Sequence, residues 1–173
     1  MIVSLEANDV AVVIGAAACW FDVRTRRIPN LLTFGAAIAG IVYAIFAHGT
    51  AGLFASIAGW LVGCALFLPF FLLGGMGAGD VKLIAAIGSW LGPVVAFWVA
   101  LYAMMAGGVM AVVLALATGY LRQALTNLSL LLMHWRVVGV RPLSELTLSE
   151  ARGPRLPYAL PITVGTVVAL WLR

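Results

Sequence analysis

The sequence predicts an all-α fold: a polytopic integral membrane helix bundle with about six transmembrane segments. Of the 173 residues, 64% are hydrophobic and only 9% are charged, and the mean hydropathy is +1.13. A soluble domain of this length needs many more polar side chains to cover its surface. The apolar residues also form long blocks, most of them able to cross a hydrocarbon core of roughly 30 Å. Lipid is therefore expected around most of the protein. No linker or internal repeat divides the chain, so a single domain over residues 1–173 is expected.

Prolines and glycines divide the apolar sequence into six predicted segments. In chain order these are residues 10–21, extended by 5–8 if those are helical, then 31–47, 51–73, 80–91, 94–121 and 156–172. Pro29 prevents a continuous helix between the first two segments, and Asn30 is expected to cap the second. His48-Gly49-Thr50 predicts the next turn. The fourth segment spans only about 18 Å as a helix. We therefore expect it to be buried among other helices or to continue through Gly92-Pro93 with a kink.

A polar stretch, residues 122–155, separates the fifth and sixth segments. Apolar side chains recur at helical spacing where it begins: Leu121, Leu125, Leu128, Leu132 and Trp135. This spacing predicts a helix that lies in the membrane interface and leads into a cytoplasmic loop.

The basic residues predict the orientation in the membrane. With six crossings, nine of the ten Lys and Arg residues fall on one side, and only Arg173 falls on the other, with Glu6 and Asp9. Because cytoplasmic loops carry the excess of Lys and Arg, the amino terminus is expected outside. The first 23 residues contain no Lys or Arg, so no cleavable signal peptide is expected. We predict a multi-pass protein of the cell inner (cytoplasmic) membrane that binds lipid and no nucleic acid.

Asp22 and Asp80 are the candidate catalytic residues, because each lies where a membrane segment meets an irregular stretch. Two crossings separate them, so both are expected at the cytoplasmic edge, where they can meet. Inserting an ionisable side chain at membrane depth raises the free energy of insertion by roughly 2.5 to 3.5 kcal/mol, so such a residue usually has a functional role. Two neighbouring carboxylates can share one proton. That state suits peptide hydrolysis, because one member takes a proton from water while the other donates to the carbonyl oxygen. The other carboxylates are expected to be solvated: Glu6, Asp9, Glu145 and Glu150.

Other interpretations remain open for these aspartates. Asp80 follows glycines and could simply cap a helix, and Asp22 could pair with Arg24 or Arg26. The glycines at 74–79 favour a functional role, because irregular backbone in a membrane must line a wet or protein-filled cavity. The same aspartates could instead serve a small proton-coupled transporter, although transporter sites usually lie near the midplane. A non-catalytic membrane subunit of a secretion machine is a third alternative.

Four further residues are weaker candidates for substrate binding or for supporting the aspartate pair. Gly77 and Gly79 would let a peptide approach the backbone closely. Lys82 could tune the carboxylates or bind substrate, or it could snorkel to the interface. Arg24 could orient Asp22 or the loop.

Three stretches resemble motifs of the type IV prepilin peptidases. Residues 22–30, Asp-x-Arg-x-x-x-Ile-Pro-Asn, are similar to the first signature of that family. Residues 77–83, Gly-Ala-Gly-Asp-Val-Lys-Leu, resemble its GxGD motif and the usual continuation. Residues 155–162, Arg-Leu-Pro-Tyr-Ala-Leu-Pro-Ile, resemble a recurrent segment near the end of the short branch that serves Tad/Flp-type pili.

The resemblance implies an aspartyl endopeptidase that cleaves the short basic leader from prepilins or pseudopilins at the cytoplasmic face, with Asp22 and Asp80 as catalytic pair. Longer family members carry a cytoplasmic insertion with paired cysteines and also methylate the new amino terminus. That insertion is missing here, so peptidase activity without methylation is expected. Cys19 and Cys64 are not in a CxxC pair, so no metal or other cofactor is expected. The oligomeric state is not predicted.

Overall fold

The structure, a computed structural model, describes residues 2–139 and 157–172. Five helices account for nearly all of these residues: α1 (Ile2–Thr25), α2 (Asn30–Leu72), α3 (Ala78–Ala117), α4 (Leu121–Val138) and α5 (Ala159–Trp171). No strand occurs within these two ranges. The predicted all-α class is therefore confirmed for the described part of the chain.

Helix α2 folds back on itself at Gly49, where the backbone is left-handed (φ 62°, ψ −141°). Ser89 shows the fold-back, because its hydroxyl oxygen lies 3.4 Å from the Ala37 carbonyl oxygen before the break, while its own carbonyl accepts from the Ser56 hydroxyl after it. In a straight helix residues 37 and 56 would lie about 28 Å apart. The two halves therefore run side by side, and the break falls in the turn predicted at residues 48–50.

Helix α3 folds back in the same way at Gly92 (φ 77°, ψ 173°), immediately before Pro93. A Cβ placed on Gly88 would lie 3.2 Å from the Cβ of Ala96, which a continuous helix could not bring so close. The half before Gly92 forms the centre of the core, and Leu83, Ile84 and Ile87 are fully buried. Both features expected of the fourth predicted segment, burial and a kink at Gly92-Pro93, are present.

Small residues bring the helices into backbone contact. Gly59 of α2 lies against the Gly88 carbonyl of α3, and Gly165 of α5 packs against Ala103 and Val99 of α3. Close approach through small residues is the usual way in which membrane helices associate. Helix α3 therefore joins α2 on one side to α5 on the other, and α1 packs mainly against α5.

Two helices, α2 and α3, are long and apolar enough to cross a membrane, and α5 is a shorter apolar helix. Helices of this length and composition are what a membrane-spanning protein requires. The count of six crossings is not established by these helices and stays a prediction.

Several predicted boundaries are wrong. Helix α1 continues to Thr25, so Asp22 lies within the helix and not at the start of a loop. The residue that caps α2 is Pro29, and Asn30 is the first helical residue. The fifth segment ends at Ala117 because Gly119 takes up a left-handed conformation (φ 68°), and α4 then begins as a separate helix.

A helix, α4, forms where the sequence predicts one, and apolar side chains along it are exposed, Leu125, Leu128 and Leu132 among them. Its place in the membrane interface stays a prediction. Helix α5 begins at Ala159 and not at residue 156. The loop that was expected to follow α4, including Glu145, Glu150 and Arg155, lies outside the described residues.

Candidate active site

Asp22 and Asp80 line the same pocket, which has a volume of ≈ 420 Å³. Asp22 comes from the end of α1 and Asp80 from the start of α3, and their side chains are only 8% and 9% exposed. The two carboxylates are close enough to interact electrostatically. The rest of the lining comes from residues 26–30 in the α1–α2 connection, from residues 77–79 and from Lys82.

The Asp80 carboxylate is held by the backbone turn that begins α3. Its Oδ2 accepts a hydrogen bond from the Gly77 N–H at 3.2 Å, and the Asp80 N–H donates to the Gly77 carbonyl at 3.2 Å. A Cβ on Gly77 would lie 3.2 Å from this same Oδ2. Gly77 is thus the cap of α3, and the absence of a side chain there leaves room for the carboxylate. Asp80 is not itself the N-cap residue, because it occupies the third helical position, but its carboxylate accepts the N–H of the N-cap residue as in a capping box. The alternative that Asp80 helps to cap the helix is therefore confirmed in that form.

The Asp22 carboxylate is held by a different element. Its Oδ2 accepts a buried hydrogen bond of 3.2 Å from the backbone N–H of Ala159, the first residue of α5. The first N–H groups of a helix have no acceptor within that helix, and the positive end of the helix dipole favours a carboxylate. The two aspartates are thus each fixed by a helix amino terminus, Asp80 by that of α3 and Asp22 by that of α5.

Of the weaker candidates, Gly77, Gly79 and Lys82 lie at the pocket. Gly79 packs against Ile28, whose Cβ would lie 3.3 Å from an added Cβ. The Lys82 Nζ donates to Asn30 Oδ1 at 2.9 Å and lies 5.0 Å from the centre of the Phe34 ring. Gly79 and Lys82 therefore make contacts that join the start of α3 to the α1–α2 connection and to α2.

Arg24 is not brought to the pocket. Its guanidinium carbon lies 4.1 Å above the ring of Trp20, one turn earlier in α1. Residues two apart on a helix do not face each other, whereas residues four apart do. Arg24 therefore faces Trp20 and not the side of Asp22.

The site includes Arg27, which the sequence did not single out, and Arg26, which was considered only as a possible partner of Asp22. Both arginines line the pocket, and Arg26 has a left-handed backbone (φ 54°), which is uncommon for a residue other than glycine. The sequence feature that could have indicated both arginines as pocket residues was their position between Asp22 and Pro29. The tip of α5 was also missed, although residues 155–162 carry the third motif.

Among the described residues, no three His, Cys, Asp or Glu side chains group as metal ligands would.

The fold and the site together define the class of protein: a helical membrane protein in which two buried carboxylates from separate helices share one pocket. The model of the type IV leader peptidase family matches residues 10–112, well over half of the chain and including both aspartates. The chain therefore belongs to the type IV leader peptidase family, which confirms the resemblance.

Two curated relatives are named prepilin leader peptidase/N-methyltransferase, from Burkholderia pseudomallei strains 1026b and K96243. Each is 38% identical to this chain over 98 residues, which is 53% of the chain and 32% of the relative. The chain thus matches about a third of the length of these relatives. No solved structure matches it.

Proposed function

We propose that this protein is an intramembrane aspartyl endopeptidase that cleaves the basic leader peptide from type IV prepilins or pseudopilins, of the Flp type. Family membership and the names of the two relatives support a role in prepilin processing. The observation that carries the aspartyl mechanism is the pocket that Asp22 and Asp80 share, with both carboxylates buried.

In the proposed reaction, water lies between the two carboxylates, which share a single proton. The ionised carboxylate takes a proton from water as its oxygen attacks the scissile carbonyl carbon, and the protonated one donates to the carbonyl oxygen. The carboxyl group that took the proton from water then donates it to the leaving nitrogen as the carbon–nitrogen bond breaks. The hydroxyl formed from the carbonyl oxygen returns its proton to the other carboxylate, which restores the shared-proton state. The helix amino termini that hold Asp22 and Asp80 keep both carboxylates in place through these steps.

The proposed setting is the inner membrane, with six crossings, the amino terminus outside and the pocket towards the cytoplasm. The fold-backs at Gly49 and Gly92 divide α2 and α3 into the four middle segments of that topology. Arg26, Arg27 and Lys82 beside the pocket agree with a cytoplasmic position. A prepilin would present its charged leader there while its apolar helix remained in the bilayer.

We further propose that the chain cleaves without methylating the new amino terminus. The resemblance implies that methylating members carry an insertion with paired cysteines, and the two cysteines of this sequence, Cys19 and Cys64, form no Cys-x-x-Cys pair. Mass spectrometry of the processed pilin tests this point. The account predicts a mature amino terminus without an added methyl group, and a methylated product would contradict it.

Co-expression with a candidate Flp-type prepilin tests the protease itself. We expect leader removal by the native protein and its loss in both Asp22→Asn and Asp80→Asn. Asp9→Asn is the matched control, because Asp9 is an exposed carboxylate elsewhere on α1. Leader removal that persists in either pocket variant would remove that aspartate from the mechanism. Proton flux into proteoliposomes that depends on both aspartates, with leaders left intact, would favour the transporter instead.

A further inference from the structure

Helices α1 and α5 form an interface that ends at the aspartate pocket. On α1 the interface contains Gly15, Cys19 and Asp22, which are four and three positions apart and therefore lie on one face of the helix. On α5 it contains Ala159 and Thr163, which are one turn apart. The two helices run in opposite directions, because Asp22 meets the start of α5 while Cys19 meets the following turn.

Three hydrogen bonds lead from Cys19 to Asp22 through α5. The Cys19 Sγ lies 3.2 Å from the Thr163 Oγ1. The Thr163 hydroxyl donates to the Ala159 carbonyl at 2.8 Å, and the Ala159 N–H donates to Asp22 Oδ2 at 3.2 Å. A hydroxyl has one proton, and a carbonyl is a better acceptor than a thiol sulfur, so the Cys19 thiol is the donor to Thr163. The tip of α5 is therefore bonded to α1 at two points, one of which is the Asp22 carboxylate.

Thr163 also packs directly on the backbone of α1. A Cβ added to Gly15 would lie 2.8 Å from the Thr163 Oγ1 and 3.1 Å from its Cγ2, so no side chain fits between the two helices at this point. Gly15 is buried and Thr163 is half-buried. The position of Thr163 is therefore determined by the α1 backbone at Gly15 and by the Cys19 thiol one turn later.

The contacts of Thr163 bear on Asp22 because they set how closely α5 approaches α1. The Ala159 N–H belongs to the first turn of α5 and moves with that turn, and Thr163 lies one turn further on. The 3.2 Å bond from this N–H is already long for a donor to a carboxylate, for which about 2.7 to 2.9 Å is usual. A small displacement of Thr163 would therefore weaken the bond to Asp22, although Thr163 does not itself line the pocket.

We infer that Thr163 is a positioning residue of the aspartate pair: packed on Gly15 and bonded to Cys19, it fixes the tip of α5 against α1 and so places the N–H that holds the Asp22 carboxylate. This inference rests on the proposed protease function. Thr163 acts on the reaction through Ala159 and Asp22, and it needs no contact with the substrate.

Leader removal by the purified protein tests the inference with Thr163→Val, which keeps the shape of the side chain and removes the hydroxyl. We expect kcat to fall about five- to tenfold, because a shift of about 1 Å in a catalytic group can cost about 100-fold and the shift here is smaller. KM should change by less than about twofold, because substrate binding is not affected. Native kcat in Thr163→Val would overturn the inference.

Thr163→Ser separates the hydroxyl from the shape of the side chain. Serine retains both hydrogen bonds of the threonine hydroxyl, so kcat should stay within about twofold of the native value. A loss in Thr163→Ser equal to that in Thr163→Val would overturn the inference, because the hydroxyl would then not determine the rate.

Thr166→Val is the matched control. Thr166 is a fully buried threonine of α5, and its hydroxyl donates to the Ile162 carbonyl at 2.8 Å. This bond lies within α5, whereas the bonds of Thr163 lead on to α1. The control should keep native kcat even if its melting temperature falls. An equal loss of kcat in Thr166→Val would overturn the inference, because any buried hydroxyl of α5 would then have the same effect.

Gly15→Ala keeps the test decisive if Thr163→Val does not fold. This variant retains the Thr163 hydroxyl but forces it away from α1, so we expect the same pattern, a lower kcat with little change in KM. Gly35→Ala is its control, because an added Cβ there meets nothing within 4 Å, and it should keep native kcat. Native kcat in Gly15→Ala, or an equal loss in Gly35→Ala, would contradict the positioning role.

The same assay with Asp22→Asn and Asp80→Asn separates the two claims. If both lose leader removal while Thr163→Val has native kcat, the positioning role alone is wrong. If both retain leader removal, the proposed function is wrong.

Discussion

Gly77→Ala is predicted to impair catalysis by displacing one carboxylate without disturbing the fold. The backbone at Gly77 is extended (φ −80°, ψ 150°), a conformation that any residue adopts, so the substitution introduces no backbone strain. The new Cβ would lie 3.2 Å from Oδ2 of Asp80, closer than most real Cβ contacts. The carboxylate must shift by a few tenths of an ångström, which weakens its hydrogen bond to the Gly77 N–H.

The size of the effect follows from that hydrogen bond. A hydrogen bond to a charged group contributes about 1.5 to 3 kcal/mol. Each 1.36 kcal/mol of transition-state stabilisation corresponds to about tenfold in rate. If the bond is lost in the transition state, kcat should fall by about 10- to 100-fold. The folding stability should also fall, by about 0.5 to 2 kcal/mol, because the same hydrogen bond belongs to the amino-terminal cap of α3, but the variant should remain folded.

The measurement is the rate of leader removal by purified protein at saturating prepilin, together with a thermal melt. Gly75→Ala is the matched control, because an added Cβ there would lie 3.4 Å from the Phe70 carbonyl oxygen and meets no carboxylate. A native kcat in folded Gly77→Ala would refute the view that Gly77 sets the position of Asp80. An equal loss in Gly75→Ala would mean that the whole glycine turn, and not the carboxylate contact, determines the rate.

Two further predictions concern the contacts between helices. Gly59→Ala should destabilise the protein by about 1 to 3 kcal/mol, because the added Cβ would overlap the backbone of α3 at Gly88. Gly35→Ala is the control, because position 35 has open space around it, and it should leave the melting temperature unchanged or higher. Equal melting temperatures for the two variants would contradict the packing described. Lys82→Met should lower stability by about 0.5 to 1.5 kcal/mol through loss of the bond to Asn30. The decrease in melting temperature caused by Lys82→Met is measured in the native protein and in an Asn30→Ala variant. Equal decreases in the two backgrounds would show that Lys82 and Asn30 do not form a stabilising bond.

The divisions of the chain could be predicted because local residues determine them. Pro29 lacks an N–H and lies between α1 and α2, and Gly49 and Gly92 adopt positive φ at the breaks in α2 and α3. The shared location of Asp22 and Asp80 could also be predicted, because an even number of crossings returns the chain to the same side. Both residues line one pocket in the structure.

Side-chain directions could not be predicted in the same way. Arg24 was a candidate for orienting Asp22 or the loop, and that hypothesis assumed a loop at this position. Since α1 continues through both residues, a separation of two positions turns them to different sides, and Arg24 lies over Trp20. Asn30 was expected to act as a cap, but it lies inside α2 and accepts from Lys82.

The role of α5 was hidden for another reason. The group that holds Asp22 is the backbone N–H of Ala159, and every residue other than proline has such a group. Its importance comes only from packing, which brings the start of α5 against the end of α1. No residue type at position 159 could have signalled that contact.

A double-mutant cycle on the two aspartates tests the central claim most directly. Residual rates of leader removal are measured for Asp22→Asn, Asp80→Asn and the combined variant, with thermal melts to confirm folding. Residues that act as one catalytic unit give strongly non-additive losses. The account therefore predicts that the combined variant is about as slow as either single variant. Two separate losses that multiply in the combined variant would show that Asp22 and Asp80 act independently, and the shared-proton mechanism would be wrong.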